Sequence, residues 1–316
     1  MWRFVYLILK SARPRQWIKN LALYAPLFFS GFLFFKPLDG PAYFWIVTYA
    51  VLLFSVLTSS IYLINDLIDV KEDRQHPFKK HRPIASGQLP VPLALTVALL
   101  GLALVFFLSL TLPVFFRLLL FTYFVLQMLY ATRIKHIAIF DVVSIALGFL
   151  IRIYAGAVIV ELHMSVWFLL TVVSASLFLA VGKRQSERTL LRDHHLDFSR
   201  KALRHYSQRL LDQYTGMFAN ATWLTYALFS FQHETSQAGI AVERFPTLYL
   251  ILPRTLQSQK LLMLTLPFVI FGVMRYLQLV YEENKGESPE KVLLNDKMLL
   301  ISVFLFGLTA FIVLYA

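Results

Sequence analysis

Polar residues in this 316-residue chain are gathered into a few short stretches, and the segments between them are almost wholly apolar. Apolar runs of about twenty residues have the length of a helix that crosses a bilayer. Nine such runs stand out, at roughly 18–36, 43–64, 91–110, 114–131, 138–159, 166–183, 215–232, 261–281 and 297–315, with ends set to within several residues. The pattern predicts an all-α, polytopic membrane bundle of about nine transmembrane helices with a polar cavity open to the cytoplasm. Ahead of the spans, residues 1–17 mix Arg3, Lys10, Arg13 and Arg15 with Trp2, Phe4, Tyr6 and Trp17. That mixture predicts an amphipathic interfacial helix, ended or bent at Pro14, in front of a transmembrane domain over 18–316. The segment 233–259 is the least organised by pattern and reads as an outer loop with a short interfacial helix.

Composition agrees with the pattern. The chain is 58% hydrophobic and 15% charged, a balance that soluble domains rarely show. It has no cysteine, which excludes a disulfide, a thiol nucleophile and a zinc–thiolate site. No small-residue cleavage site follows the first short apolar stretch, so the first span is expected to stay in place. The formal charge of +12 raises nucleic acid as a partner, but the bases are confined to certain loops. Anionic lipid and phosphorylated substrates explain that confinement better, and no nucleic acid is expected.

The same bases set the orientation. With the N-terminus in the cytoplasm, the inside set holds Arg3, Lys10, Arg13, Arg15, Lys19, Lys71, Arg74, Lys79, Lys80, Arg82, Arg133 and Lys135, followed by the many bases between Lys183 and Arg209 and by Lys285, Lys291 and Lys297. Outside loops and edges hold only Lys36, Arg117, Arg244, Arg254 and Lys260. The asymmetry predicts this orientation, with an outside C-terminus and every phosphate-like motif on the cytoplasmic face.

The candidate chemistry starts where the second span ends, at Asn65-Asp66-Leu67-Ile68-Asp69-Val70-Lys71-Glu72-Asp73. On a helix Asp66, Asp69 and Asp73 share one face. Carboxylates clustered at a membrane boundary are costly unless a cation neutralises them. Hard oxygen donors of this kind suit Mg²⁺, which commonly joins protein carboxylates to a substrate's phosphates. A solvated acidic helix end is the competing reading. The run that follows, from His76-Pro77 to Lys79-Lys80-His81-Arg82, favours the site, because such bases take phosphate oxygens directly. Asp66, Asp69 and Asp73 are therefore the candidate catalytic and metal-binding residues, with Asn65, Lys79 and Arg82 beside them for substrate.

A second constellation, Gly182-Lys183-Arg184-Gln185-Ser186-Glu187, ends the sixth span. Lys183 and Arg184 each lie one helical turn before Glu187, which fits either positive-inside anchoring with a local ion pair or a second phosphate clamp. Lys19 and Asn20 read equally as membrane anchors or as groups reaching the headgroup site. Tyr130 and Lys135 close the fourth span and Asp141 opens the fifth. Arg152 lies deep in the fifth, where a structural ion pair and a functional role compete. Asp193-His194-His195-Leu196-Asp197 spells a metal site, although adjacent histidines in a polar loop are usually solvated.

At these motifs the chain resembles the UbiA superfamily of intramembrane prenyltransferases, through Asn65-Asp66-x-x-Asp69-x-x-x-Asp73. That superfamily carries a second aspartate pair on its sixth span, where this chain has Lys183-Arg184-x-x-Glu187. With Arg13-Pro14-Arg15-Gln16-Trp17-Ile18-Lys19-Asn20, the run from Asn65 to Pro83, Arg275-Tyr276 and Gly286-Glu287-Ser288-Pro289-Glu290, the chain is similar to one branch, the decaprenyl-phosphate phosphoribosyltransferases. The resemblance covers nearly the whole chain except the longer segment near 233–259. It implies a Mg²⁺-dependent enzyme of the cytoplasmic (inner) membrane that transfers 5-phosphoribose from phosphoribosyl diphosphate to a polyprenyl phosphate, for envelope polysaccharide precursors. Lys19, Asn65, Lys79, Arg82, Tyr130, Lys135, Lys183, Arg184 and Glu187 then become substrate-binding residues. A homo-oligomer is compatible with the sequence. An ordinary prenyltransferase with an aromatic acceptor, and a transporter or lipid-binding protein, are the alternatives. The missing second aspartate pair opposes the first, and the lack of clear repeats or broken spans opposes the second.

Overall fold

The computed structural model describes residues 2–75, 79–193, 203, 205–233, 260–282, 292 and 295–315. The described residues are helical or irregular, with no strand among them. They form two compact units, one built on the chain up to His163 and one on the chain from Met164 onwards. Seven helices among the described residues are long and apolar enough to cross a membrane, so the expected polytopic bundle is present and the expected count of about nine is not reached.

The first unit starts with α1 (Trp2–Ala12). Arg13 then takes a left-handed conformation (φ 53°), and Pro14 opens a 3₁₀ segment, Pro14–Leu23, that runs into the short α2 (Tyr24–Phe29). The first predicted span is therefore not one continuous helix. Asn20 and Pro26 sit within it, and the side-chain amide of Asn20 is held by tertiary partners. Four long helices follow: α3 (Tyr43–Ile68), α5 (Val91–Ser109), α6 (Val114–Thr132) and α7 (Phe140–Val158), with the six-residue α4 (Val70–Gln75) between the first two.

Lipid is as apolar as a leucine side chain, so spans associate through close packing of small residues and through polar contacts. α5 shows this on one face. Ala94 and Ala98 are fully buried, and a Cβ on Gly101 would lie 2.2 Å from Ser60 Oγ of α3, whereas Leu99, Leu100, Phe106 and Phe107 are exposed. The 3₁₀ segment meets α7 still more closely. A Cβ on Gly156 would lie 1.9 Å from the Leu23 carbonyl oxygen, so a hydrogen is required there. Leu23, Leu27, Phe54, Phe116, Tyr123 and Ala155 fill the core between these elements.

The second unit holds α8 (Val166–Asp193), α9 (Gln208–Gln232), a 3₁₀ turn Leu261–Thr265 leading into α10 (Leu266–Tyr281), and α11 (Lys297–Tyr315). α9 matches the predicted span 215–232 in place but falls short in apolar character, because Thr215, Asn220, Thr222, Thr225 and Gln232 interrupt it. Its N-terminus is capped by Ser207, whose hydroxyl accepts from Leu210 N–H. α11 is capped by Asp296, which accepts from Leu299 N–H at 2.8 Å and also pairs with Arg275 of α10 at 2.6 Å. Most of the loop 233–259, the His194-His195 stretch and Gly286–Glu290 lie outside the described residues.

Candidate active site

The acidic motif is built where α3 gives way to α4. Asp69 is the C-terminal cap of α3 (φ −86°, ψ 4°), and its N–H still bonds to the Asn65 carbonyl at 2.9 Å. Asp73 N–H bonds to the Asp69 carbonyl at 2.8 Å, so helical spacing survives the break at Asp69. The expected shared face of Asp66, Asp69 and Asp73 is therefore approximated by two helices rather than given by one. Asp66 and Asp73 are each 2% exposed. Asn65 donates its amide to Asp69 Oδ2 at 3.3 Å.

Each acid of the motif meets a base. Lys135 Nζ, from the 3₁₀ turn after α6, lies 2.5 Å from Asp69 Oδ1. Arg82 Nη1 contacts two acids at once, Asp73 Oδ2 at 2.6 Å and Asp66 Oδ1 at 3.2 Å. Arg13 Nη2 reaches Asp66 Oδ1 at 2.5 Å, with its guanidinium 5.0 Å over the Tyr62 ring. The structure thus brings together Asn65, Asp66, Asp69, Asp73, Arg82 and Lys135, all predicted from sequence, and adds Arg13. That residue was read from sequence only as a positive-inside base and part of a motif. No local signal marked it: a residue before proline ordinarily takes extended backbone, whereas Arg13 lies in the left-handed region.

Lys79 opens the 3₁₀ turn Lys79–His81 and is half-buried just ahead of Arg82. Tyr130 is half-buried near the C-terminal end of α6, and Lys19 is half-buried on the 3₁₀ segment beside Asn20. The second motif lies on α8, in the second unit. There Arg184 is fully buried and its Nη1 lies 2.7 Å from Glu187 Oε2, while Gln185 donates to Asp212 of α9 at 2.7 Å. Lys183 is half-buried between Gly182 and this pair. A Cβ on Gly182 would lie 2.9 Å from the Tyr276 ring, so the glycine serves close packing against α10.

Arg152 has a partner set that sequence did not predict. Its Nε donates to Asn20 Oδ1 at 2.9 Å, Nη1 to the Gly148 carbonyl at 3.0 Å and Nη2 to the Tyr123 hydroxyl at 2.5 Å. Its guanidinium also lies 4.7 Å over the Tyr123 ring. Asn20 in turn donates to Ser55 and Thr58 of α3 at 3.1 and 3.4 Å. No ion pair to Arg152 occurs among the described residues: this cation is held by an amide, a phenol and a carbonyl. Three elements are tied by one buried side chain.

The donor set suits a divalent cation. The motif offers hard carboxylate oxygens, and positively charged nitrogens already occupy them, Arg82 Nη1 standing between Asp66 and Asp73. No ready-made group of three metal-ligating side chains occurs among the described residues, so the acids would hold a metal only after the bases move aside.

A helical membrane protein with buried carboxylates and bases at the end of one span is the class that this architecture defines. Residues 23–303 match the UbiA prenyltransferase family, and the chain belongs to that family. It is 35% identical over 301 residues to a decaprenyl-phosphate phosphoribosyltransferase of Corynebacterium glutamicum, covering 92% of this chain and 82% of the relative. It is 33% identical to the protein of that name from Mycolicibacterium smegmatis, covering 93% and 88%. In fold it is similar to a UbiA homologue from Archaeoglobus fulgidus solved with GPP and Mg²⁺, at a TM-score of 0.66 and 19% identity over 98% of this chain and 99% of that one. A digeranylgeranylglyceryl phosphate synthase structure aligns at a TM-score of 0.58.

Proposed function

We propose that this protein is a polyprenyl-phosphate phosphoribosyltransferase. It transfers 5-phosphoribose from phosphoribosyl diphosphate to a polyprenyl phosphate at the cytoplasmic face of the cytoplasmic membrane, making a lipid precursor for envelope polysaccharides. The observation that carries the reading is similarity along nearly the full chain to proteins named for this reaction.

The residues support the chemistry. A phosphate oxygen of the lipid attacks the anomeric carbon, the bond from that carbon to the diphosphate oxygen breaks, and diphosphate leaves. The second pKa of a phosphate monoester lies near 6, so the acceptor is mostly doubly ionised at neutral pH and needs no strong general base. Catalysis reduces to orientation and to stabilising the departing diphosphate. Asp66, Asp69 and Asp73 would hold Mg²⁺, which supplies positive charge to the diphosphate, with Asn65 beside them for substrate. Arg82, Lys135 and Lys79 take phosphate oxygens, with Lys19 and Tyr130 as further substrate contacts. Lys183 and Arg184 take a metal-free phosphate, and Glu187 orients them or accepts a ribose hydroxyl. A second pair of aspartates at that position would repel the extra phosphate charge.

The test is product identity. Purified protein given Mg²⁺, phosphoribosyl diphosphate and polyprenyl phosphate should yield a lipid heavier by one phosphoribosyl group in mass spectra. The same protein given polyprenyl diphosphate and an aromatic acid should yield nothing. A prenylated aromatic acid without any ribosylated lipid would overturn the reading.

A further inference from the structure

We propose that Arg82 is a resident cation of the carboxylate pair Asp66–Asp73, displaced from it when metal and diphosphate enter together, so that the protein discriminates against metal alone. The inference rests on the function proposed above and adds a binding order to it.

The geometry points to this role because one nitrogen does the bridging. Arg82 Nη1 lies 2.6 Å from Asp73 Oδ2 and 3.2 Å from Asp66 Oδ1, which is the placement of a cation shared by two carboxylates. The acids are 2% and 3% exposed at their side chains, whereas Arg82 is 26% exposed. Buried carboxylates need a counter-charge at all times. The acids cannot turn to water, so the partner that can leave is the arginine.

Its backbone does not need to move. Arg82 N–H is held by the Lys79 carbonyl at 3.0 Å, and its own carbonyl is held by Ser86 N–H at 2.9 Å. Arg74 Nε bonds to the Ala85 carbonyl at 3.1 Å and ties the same turn to α4. A side-chain rotation from a fixed turn is enough.

Charge counting then favours joint entry. Asp66, Asp69 and Asp73 are matched by Arg13, Arg82 and Lys135. A divalent cation entering alone would leave Arg82 displaced beside new positive charge. When it enters with a diphosphate, the released guanidinium finds an anion whose oxygens fit its planar fork. Metal and diphosphate should therefore strengthen each other's binding, and Arg82 should be one source of that coupling.

Mn²⁺ is the metal probe, with free Mn²⁺ followed by electron paramagnetic resonance and phosphoribosyl diphosphate binding by calorimetry, both on purified full-length protein. In Arg82→Gln, Mn²⁺ alone should bind about tenfold tighter, because a competing charged hydrogen bond is gone. Phosphoribosyl diphosphate with Mn²⁺ should bind that variant about tenfold more weakly. A purely structural role would weaken both. Arg82→Lys keeps the buried acids compensated and serves where the glutamine variant does not fold. Without a fork it should bind Mn²⁺ alone about threefold tighter and the diphosphate more weakly. Unchanged or weaker Mn²⁺ binding in the folded variants overturns the guarding role and leaves the proposed function standing. Unmodified protein that binds no phosphoribosyl diphosphate with Mn²⁺ overturns both.

Discussion

Asp66 lies in the last turn of α3 and Asp69 caps it, and each has its own base: Asp66 meets Arg13 and Arg82, and Asp69 meets Lys135. Asp66→Asn and Asp69→Asn should each lower turnover by roughly 10²–10³-fold in protein that keeps its melting temperature in detergent, since a charged contact to the transition state is lost while packing is not. A folded variant with near-normal Mg²⁺-dependent turnover would remove that aspartate from the site. The Asn20–Arg152 contact makes a different prediction at the same scale. Asn20→Ala removes the acceptor for Arg152 Nε inside a buried network and should cost about 1–3 kcal/mol of stability, read as a lower melting temperature, with less effect on affinity for phosphoribosyl diphosphate. The acids and Arg82 were legible in sequence because clustered charges beside an apolar run have few other uses. Arg13 was not, because its role depends on a left-handed backbone that runs against the extended preference of a residue before proline. Arg152 was visible as a buried charge, but its side-chain partners lie 132 and 29 positions away, and no local pattern encodes them.

At the scale of elements, length and apolarity located every long helix among the described residues, while the first predicted span shows the limit of that signal. Hydropathy counts apolar residues but does not register that Pro14, Asn20 and Pro26 favour a 3₁₀ segment and a short helix over one continuous rod. A 3₁₀ run of ten residues is weak by itself and persists here because Asn20 is bonded to α3 and α7 and Leu23 lies against Gly156. Gly156→Ala would place a methyl carbon 1.9 Å from the Leu23 oxygen. It should therefore destabilise the protein by about 1–3 kcal/mol or more, seen as a lowered melting temperature, and should loosen Arg13 from Asp66. Gly307→Ala, with nothing within 4 Å of the added carbon, is the matched control and should change little. Equal effects at both glycines would show that the 3₁₀ segment is not pinned at Leu23.

At the scale of the whole molecule, orientation and activity are the two open claims, and the lack of cysteine makes the first easy to test. Leu38 precedes α3 and Gln88 follows it, and both are exposed. In intact cells, Gln88→Cys should resist a membrane-impermeant thiol reagent while Leu38→Cys reacts, and the reverse pattern would invert the orientation drawn from the basic loops. The second motif shows why family alone does not fix substrate: Lys183, Arg184 and Glu187 were legible as a departure from an acidic pair, but what Lys183 and Arg184 bind depends on a ligand that no sequence contains. The measurement that reaches the central claim most directly follows the ribose. Phosphoribosyl diphosphate labelled with ¹⁴C in its ribose is incubated with polyprenyl phosphate and the purified protein, and the lipid phase is counted. Label should enter the lipid with Mg²⁺, release one diphosphate per ribose transferred, and fall to background with a chelator or in Asp66→Asn. Label that stays in the aqueous phase while folded, Mg²⁺-supplied protein turns over polyprenyl diphosphate instead would contradict the account.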